Sequence, residues 1–371
     1  MNFNNKLELC APKPARTQSP KPLAATHNQH HTLKKMKQYK VLVILSLVII
    51  SCKKESQTVV PTYTDQFTIV KGQIYNYNKP VQLIGSNAFH VFGAGGSDMN
   101  KWNVDIAREF VGNMSEQPLT GFPIQDATGS YLHSLQAVVD SNRANNRITI
   151  ICPFGWNGTE TTSFTGKMPT QTYWWNDFKI KLQQWATQFK NQPDVWIEVW
   201  NEPYRFDRAD GYTDALWMSN MNELVEVIRS VGNNNIILIP CAEQGQDESV
   251  LNNKGALFLS DKKNILFDIH AYEKWLLVSN SNLNSRLERL KKNNLPFIFG
   301  EIAPLNAGLL MDTKPFLDII YNQGTSVCAW VWKYDENDIN ALLTSTGLPN
   351  NNNNNNWGTT FRTICLSARK P

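Results

Sequence analysis

Two glutamates that follow apolar, strand-like segments are the first residues of this chain that could do chemistry. Glu202 lies in the run VWIEVWNEPY, directly after Asn201, and Glu301 ends the run PFIFGE. A lone carboxylate at a strand end is usually just solvated. Two of them in one cleft can act as a pair, in which one stays protonated as a general acid while the other is ionised. The sequence therefore predicts a catalytic pair if the fold brings Glu202 and Glu301 together.

Eight short apolar segments, alternating with segments of helical periodicity, must position this pair. The predicted strands are 81–86, 104–111, 148–152, 195–200, 236–239, 265–269, 296–299 and 326–332. The predicted helices are 131–143, 177–189, 215–231, 283–292, 314–321 and 359–366. This alternation is typical of a parallel α/β architecture, and a plain (β/α)8 barrel needs about 250 residues. We predict a (β/α)8 TIM barrel that forms a single catalytic domain over residues 66–371.

A doubly wound open sheet is the alternative fold. Such a sheet normally has a glycine-rich phosphate turn after its first strand. Here the first strand leads into GSNAFHVFGAGGSD, whose glycines lack the G-x-G-x-x-G spacing. The barrel is therefore favoured, and in a barrel the carboxyl ends of all strands converge on one cleft.

Composition excludes several other classes of protein. The chain has 371 residues, of which 42% are hydrophobic and 11% aromatic, so it is not disordered. Six cysteines without a Cys-x-x-Cys pair indicate neither a disulfide scaffold nor a zinc site, and we expect no metal and no cofactor. The net charge is +4, but the part after Cys52 has 28 basic and 31 acidic residues, a net charge of −3. We therefore expect no nucleic-acid partner, and we expect a monomer.

The basic residues are concentrated in an N-terminal leader. Residues 41–50 read VLVILSLVII, follow several lysines and precede Ser51-Cys52. This run is too short for a permanent membrane helix but fits a secretory signal peptide, and its end resembles the bacterial lipobox. We predict a leader over 1–51, with Met36 as a possible true start, and a lipidated Cys52 with a tether over 52–65. The mature protein would be an exported lipoprotein, anchored to the membrane at the cell envelope or cell surface. The alternative is a core strand that happens to be flanked by lysines.

Five segments resemble elements of glycoside hydrolase family 5, the cellulase and mannanase family of clan A. They are, in the family's order, NVDIAREFV, KNQPDVWIEVWNEPY, FDIHAYEKW, FIFGE and AWVWKY. The most specific is the Asn-Glu-Pro signature of the fourth strand. The resemblance covers nearly the whole chain after about Gln66. It implies a barrel fold and hydrolysis of glycosidic bonds with retention of configuration.

The resemblance implies a role for each matching residue. Glu202 would be the general acid/base and Glu301 the nucleophile, and a retaining pair has its carboxyl groups about 5 to 5.5 Å apart. Arg108 and Tyr272 would hold Glu301 ionised and correctly aimed. Asn201 would contact the sugar 2-hydroxyl, and His270 would line the leaving-group side.

Other interpretations of these residues remain open. Arg108 could form a structural ion pair with Glu109 or Asp105, and His270 could be a satisfied core histidine. His90 lies near the place of a strand-one histidine of the family, although its register is offset. The segment ICPFGWNG has no histidine where the family commonly has one after the third strand.

Tryptophans near strand ends are candidate sugar platforms. Trp330 and Trp332 alternate along the eighth predicted strand and should face the same way, and we favour Trp332 because it is nearer the strand's end. Further candidates lie in predicted loops: Trp156, Trp174 and Trp275. Each could equally be a hydrophobic staple of its loop.

These observations favour a lipid-anchored, retaining endo-β-1,4-glucanase that acts on polysaccharide. An endo-β-1,4-mannanase is the alternative enzyme. From other classes, a surface glycan-binding lipoprotein without catalysis would not need two strand-end glutamates. A zinc- or magnesium-dependent hydrolase would need clustered histidines and aspartates at strand ends, where only His90 and His270 are available.

Overall fold

The computed structural model describes residues 66–352 and 355–370, and eight of its strands close into a parallel barrel. The strands are β1 (Ile84–Ala88), β2 (Ile106–Val111), β3 (Ile148–Pro153), β4 (Val195–Glu198), β5 (Ile237–Pro240), β6 (Ile265–Ala271), β7 (Phe297–Ile302) and β8 (Val327–Ala329). They pair in chain order, and β8 pairs with β1 to close the ring. The predicted (β/α)8 fold is confirmed. The predicted leader, Cys52 and the tether up to residue 65 lie outside the described residues.

Six longer helices accompany the barrel in the part of the chain that the structure describes. They are α1 (Leu135–Ala144), α2 (Trp175–Phe189), α3 (Asp214–Arg229), α4 (Asn280–Lys292), α5 (Lys314–Asn322) and α6 (Trp357–Leu366). The α1 helix begins later than predicted, because Ser134 caps it and Tyr131–Leu132 instead pairs with Ile124–Gln125 in a hairpin. None of the helices within 66–352 and 355–370 has the length and apolar character needed to cross a membrane.

Shorter elements cover the two ends of the barrel. An antiparallel sheet of Phe67–Val70, Gln73–Asn76 and Lys79–Pro80 packs on the inner apolar residues at the amino ends of the strands. The remaining short elements are the hairpin Leu305–Asn306 with Leu309–Leu310, the helical segments Leu251–Gly255, Ala256–Phe258 and Glu273–Leu276, and the 3-10 turns His90–Phe92, Ser97–Trp102, Glu160–Thr162 and Pro169–Gln171.

The interior of the barrel has an apolar layer below and a charged layer above. Side chains alternate between the two faces of each strand, so Trp196 and Glu198 of β4 point inward while Val195 and Ile197 pack outward. The lower inward positions are apolar and form one cluster: Ile106, Ile150, Trp196, Leu238, Leu266 and Ile298. The next inward positions include Arg108, Glu198 and Asp268, all fully buried. Because buried charges must be paired, this upper layer forms a continuous polar network.

Candidate active site

Glu202 and Glu301 meet above the charged layer, at the carboxyl ends of the strands. A carboxylate oxygen of Glu202, one of Glu301 and a ring nitrogen of His270 all lie within 4.8 Å of one another. The side chain of Glu301 is 2% exposed and that of Glu202 is 12% exposed. The fold therefore brings the predicted carboxylates together, and leaves Glu202 the more accessible of the two.

The backbone of Glu202 is held in a left-handed conformation. Its φ is 48°, a region that residues other than glycine rarely adopt. The carbonyl of Glu202 accepts a 2.7 Å hydrogen bond from the N–H of Gly166, in the loop after β3. Such strain persists only where surrounding contacts enforce it, and it is commonly found at functional sites.

Arg108 connects the charged layer to both glutamate-bearing strands. Its Nε and Nη2 donate to the two oxygens of Glu198, each over 2.7 Å. Its Nη1 donates to Oδ1 of Asn87 (2.7 Å) and to Oε1 of Glu301 (2.9 Å). Nη2 also donates to Oδ1 of Asn201 over 3.0 Å. These bonds use all five N–H groups of the guanidinium, so its orientation is fully determined.

Tyr272 and His270, both predicted from the sequence, each contact a glutamate. The hydroxyl of Tyr272 donates to Oε2 of Glu301 over 2.6 Å. Nδ1 of His270 lies 3.0 Å from Oε1 of Glu202 and 3.8 Å from Oε2 of Glu301. Its Nε2 lies 3.5 Å from Oδ2 of Asp268. His270 therefore joins the two glutamates to the charged layer.

Burial and neighbouring charges shift the pKa values of this network. Burial opposes the charge of His270, but the negative charges of Glu301 and Asp268 outweigh it and raise the pKa of the ring well above its usual value. Burial raises the pKa of the Tyr272 hydroxyl, and the charge of Glu301 raises it further, so the hydroxyl stays a donor. Burial also raises the pKa of Glu198 from 4.5 to about 7, although Arg108 opposes this shift.

Two groups of side chains have metal-ligand character: Glu202 with His270 and Glu301, and Glu198 with Asp268 and His270. The second group surrounds the guanidinium of Arg108, which lies 3.6 Å from Asp268 and forms two hydrogen bonds to Glu198. Burial opposes the charge of Arg108, but the acidic groups around it raise its pKa well above the usual value. A permanent cation thus already balances these carboxylates.

Of the two alternating tryptophans, the structure keeps Trp330 beside the site and removes Trp332 from it. The backbone N–H of Trp330 donates to the carbonyl of Ile302, the residue after Glu301. The indole ring of Trp330 packs on Phe110, with the ring centroids 5.0 Å apart. Trp332 is only 1% exposed and packs edge-on against Trp102 at 5.1 Å. This packing gives no support to our preference for Trp332 as the sugar platform, because β8 ends at Ala329 and strand alternation does not extend beyond it.

The loop tryptophans are also packed away. Trp275 is fully buried between Phe299 and Phe316, and its indole N–H donates to the carbonyl of Gln246. Trp156 and Trp174 are buried in the same large hydrophobic cluster as the helices. These three residues therefore act as staples of their loops and offer no open face for stacking.

His90 belongs to a different environment from the one predicted. Its Nδ1 lies 2.6 Å from Oε1 of Glu109, which also accepts a hydrogen bond from Asn142 of α1. Glu109 follows Arg108 on β2, so it points to the outer face of the barrel. This placement gives no support to substrate contact by His90, because Glu109 holds its Nδ1 on the outer face of the barrel. Arg108 in turn pairs with Glu198 and not with Glu109.

Sequence reasoning missed Asn87, Glu198 and Asp268. The amide nitrogen of Asn87 donates to the carbonyls of Gly300 and Ala329, and so joins β1 to β7 and β8. Oδ1 of Asp268 accepts from the N–H of Gly300 over 2.7 Å. The available signal was a polar side chain at an inward position of an otherwise apolar strand, which requires a buried partner.

Comparisons with known proteins give a family and relatives for this chain. The sequence model of the family described as Cellulase (glycosyl hydrolase family 5) matches residues 77–336. A curated mannan endo-1,4-beta-mannosidase from Cellvibrio japonicus is 26% identical over 167 residues, which are 44% of this chain and 37% of that protein. The chain thus spans well under half the length of this relative.

Solved structures share the fold at low sequence identity. The catalytic domain of a mannanase from Streptomyces sp. SirexAA-E aligns with a TM-score of 0.63 at 15% identity, over 93% of this chain and 99% of that one. The catalytic domain of an endoglucanase from Thermobifida fusca aligns with a TM-score of 0.59 at 15% identity, over 82% of this chain and 98% of that one. The barrel is therefore common to proteins named for two different substrates.

Proposed function

The chain belongs to glycoside hydrolase family 5, and on that premise we propose that it is a retaining endo-β-1,4-mannanase. The observation that carries the proposal is the separation of its two carboxylates. Oxygens of Glu202 and Glu301 lie within 4.8 Å of each other. Retaining enzymes have carboxyl groups about 5 to 5.5 Å apart, while inverting enzymes need about 6.5 to 9.5 Å to admit a water molecule.

In the first step, Glu202 gives its proton to the glycosidic oxygen while Glu301 attacks the anomeric carbon. The bond to the leaving sugar breaks, and an ester bond forms between the sugar and Glu301. Arg108 and Tyr272 each donate to a different oxygen of Glu301, so they fix the orientation of the attacking carboxylate.

In the second step, the Glu202 carboxylate takes a proton from water, and the oxygen of that water attacks the anomeric carbon. The ester bond breaks, Glu301 regains its charge, and the product keeps the original anomeric configuration. His270, 3.0 Å from Glu202, is placed to stabilise the charge that appears on this carboxylate.

Asn201 offers a hydrogen-bond donor for the sugar 2-hydroxyl. Its Oδ1 accepts from Arg108, which fixes which end of the amide faces the site. Its Nδ2 donates one N–H to the hydroxyl of Thr165 and carries a second N–H that can reach a ligand. Glucose and mannose units differ in the orientation of the C2 hydroxyl, so the residue that binds this hydroxyl affects which substrate is preferred.

Two observations favour mannan over the glucan preferred in our sequence analysis. The curated relative is named for mannan, and it matches this chain at 26% identity. The solved structures that share the fold include several named as mannanases. Exposed aromatic rings of the loops after β3 and β4 are Tyr173 and Phe206, and such rings suit a chain of several sugars.

An endo-β-1,4-glucanase is the second candidate. The matching family description names cellulases, and an endoglucanase shares the fold. A glycan-binding protein without catalysis is less favoured, because recognition alone needs no buried nucleophile held by two donors.

A panel of polysaccharides tests the proposal. We expect the highest kcat/KM on linear mannan or glucomannan, lower values on carboxymethyl cellulose and mixed-linkage glucan, and oligosaccharides as the first products. Fastest cleavage of carboxymethyl cellulose would favour the second candidate instead. NMR of the first-formed product should show the β-anomer, and an inverted product would exclude the double displacement.

A further inference from the structure

Glu198 is a buried carboxylate with no step of its own in the proposed reaction. It lies at the last position of β4, three residues before Asn201, and its side chain is fully buried inside the barrel. Both of its oxygens accept hydrogen bonds from Arg108, each over 2.7 Å. Burying a charge this deeply is costly, and such a pair is seldom a net source of stability. The position therefore calls for another explanation.

The bidentate contact fixes the plane of the Arg108 guanidinium. Two parallel N–H···O bonds allow little rotation of either partner. Once Nε and one N–H of Nη2 are bound to Glu198, the directions of the other three N–H groups follow. One reaches Glu301 over 2.9 Å, one reaches Asn201 over 3.0 Å, and one reaches Asn87 over 2.7 Å.

We infer that Glu198 is a positioning residue for the reaction, which acts through Arg108 on the nucleophile Glu301 and on Asn201 at the same time. The inference rests on the proposed function, because it assigns those two residues their roles. Glu198 acts in two ways. Its shape sets the direction of the Arg108 donors, and where Glu198 is ionised its negative charge competes with Glu301 for the charge of Arg108.

The titratable groups around this pair are contributed by several strands. Asp268 and His270 come from β6, Glu301 comes from β7, and the thiol of Cys152 comes from β3. The residue Glu198 thus belongs to a buried set that includes the imidazole next to Glu202. Removal of one negative charge from this set makes a proton easier to lose from each remaining member.

Two substitutions separate the effects of shape and charge. Glu198→Gln keeps the length of the side chain, removes the charge and turns an N–H₂ group toward Arg108. Glu198→Asp keeps the charge but shortens the side chain by one methylene. The matched control is Glu109→Gln, since Glu109 is the next residue to Arg108 on β2, is equally buried and is also paired, but on the outer face of the barrel.

We would measure kcat and KM on soluble mannan from about pH 4 to pH 9, together with Tm, for the full-length protein. Glu198→Gln should lower kcat about 100-fold with KM within about threefold, because a misaimed nucleophile slows the reaction more than it weakens binding. Because burial keeps wild-type Glu198 protonated on the acid side, only the basic limb of the pH profile of Glu198→Gln should move, and it should move to lower pH. Glu198→Asp should lower kcat with the limbs nearly unmoved. Glu109→Gln should lower Tm and leave kcat and both limbs unchanged.

The inference is overturned if Glu198→Gln reduces kcat no more than Glu109→Gln, or if its basic limb coincides with that of the wild type. Full activity of Glu198→Asp would also overturn it, because it would show that the orientation of the Arg108 donors does not affect the rate. Failure of the proposed function looks different, because the wild-type protein itself would then hydrolyse mannan slowly or not at all. If Glu198→Gln does not fold, Glu198→Asp decides the matter through kcat at unchanged limbs.

Discussion

The hydroxyl of Tyr272 and the carboxylate of Glu301 are joined by a hydrogen bond of 2.6 Å. Tyr272 directly follows β6, and Glu301 lies on the neighbouring strand β7. The hydroxyl donates to Oε2 of Glu301, whereas Arg108 donates to Oε1. Each oxygen of Glu301 thus has its own donor. Because the raised pKa of Tyr272 keeps the hydroxyl protonated, this bond is retained across the working pH range.

Loss of this donor should reduce the rate. We expect Tyr272→Phe to lower kcat/KM about 10- to 100-fold, because a hydrogen bond to a charged group contributes about 1.5 to 3 kcal/mol. Steady-state kinetics on soluble mannan measures the loss. The control is Tyr212→Phe, which removes a hydroxyl bonded to Asp214 outside the site and should leave kcat/KM unchanged. Equal activities of the two variants would contradict the role of Tyr272.

Replacement of the two glutamates should have unequal effects. Glu202→Ala should lower turnover of polysaccharide by about 10² to 10⁴, the usual contribution of a general acid. It should spare the first step on an activated aryl mannoside, whose leaving group needs no proton. Glu301→Ala should abolish turnover of both substrates, because no ester bond can form. A Glu301 variant that is the more active on the aryl mannoside would reverse the two roles.

The two tryptophans after β8 should respond differently to truncation. Trp332→Ala should lower the free energy of unfolding by about 3 to 5 kcal/mol, because it empties a packed site against Trp102. Its kcat/KM, measured well below Tm, should stay near that of the wild type. Trp330→Ala should lower kcat/KM at least about tenfold, as expected for loss of a sugar-stacking face. The opposite pattern would restore Trp332 as the platform.

The raised pKa of Glu198 should make stability depend on pH in a definite direction. Between its usual 4.5 and about 7, the folded chain binds a proton here that the unfolded chain has lost. This group therefore favours the folded state below pH 4.5, and its contribution falls as pH rises toward 7. Thermal unfolding from pH 4.5 to 7.5 should show wild type losing stability relative to Glu198→Gln as pH rises. A difference that grows in the other direction would contradict the shift.

Membrane attachment can be tested at the predicted lipidation site. We propose that Cys52 becomes the lipidated N-terminus after cleavage of the leader, a step supported by the sequence around Ser51-Cys52. More than one acyl chain should be present, because a single chain binds a membrane only weakly. Mass spectrometry of the mature protein should find Cys52 first, with added lipid, and Cys52→Ala should leave the membrane fraction. Residues before Cys52 on the mature protein would refute this.

The sequence by itself determined the barrel and the catalytic candidates. Alternating strand and helix patterns are local, and they led to the observed elements within a few residues. Glu202 and Glu301 could be paired without coordinates, because every strand of a closed parallel barrel ends at the same face. Arg108, Asn201, His270 and Tyr272 were found through the resemblance of their segments to glycoside hydrolase family 5.

Only the tertiary structure decided what each side chain contacts. Glu198 and Asp268 are partners of Arg108 because strands far apart in the sequence face each other across the barrel. Trp330 and Trp332 are separated because the chain leaves the strand at Ala329, where the two-residue period no longer sets direction. His90 is drawn to the outer face by Glu109. Strand period and motif fix where a residue lies, but its partner depends on the three-dimensional pairing of distant elements.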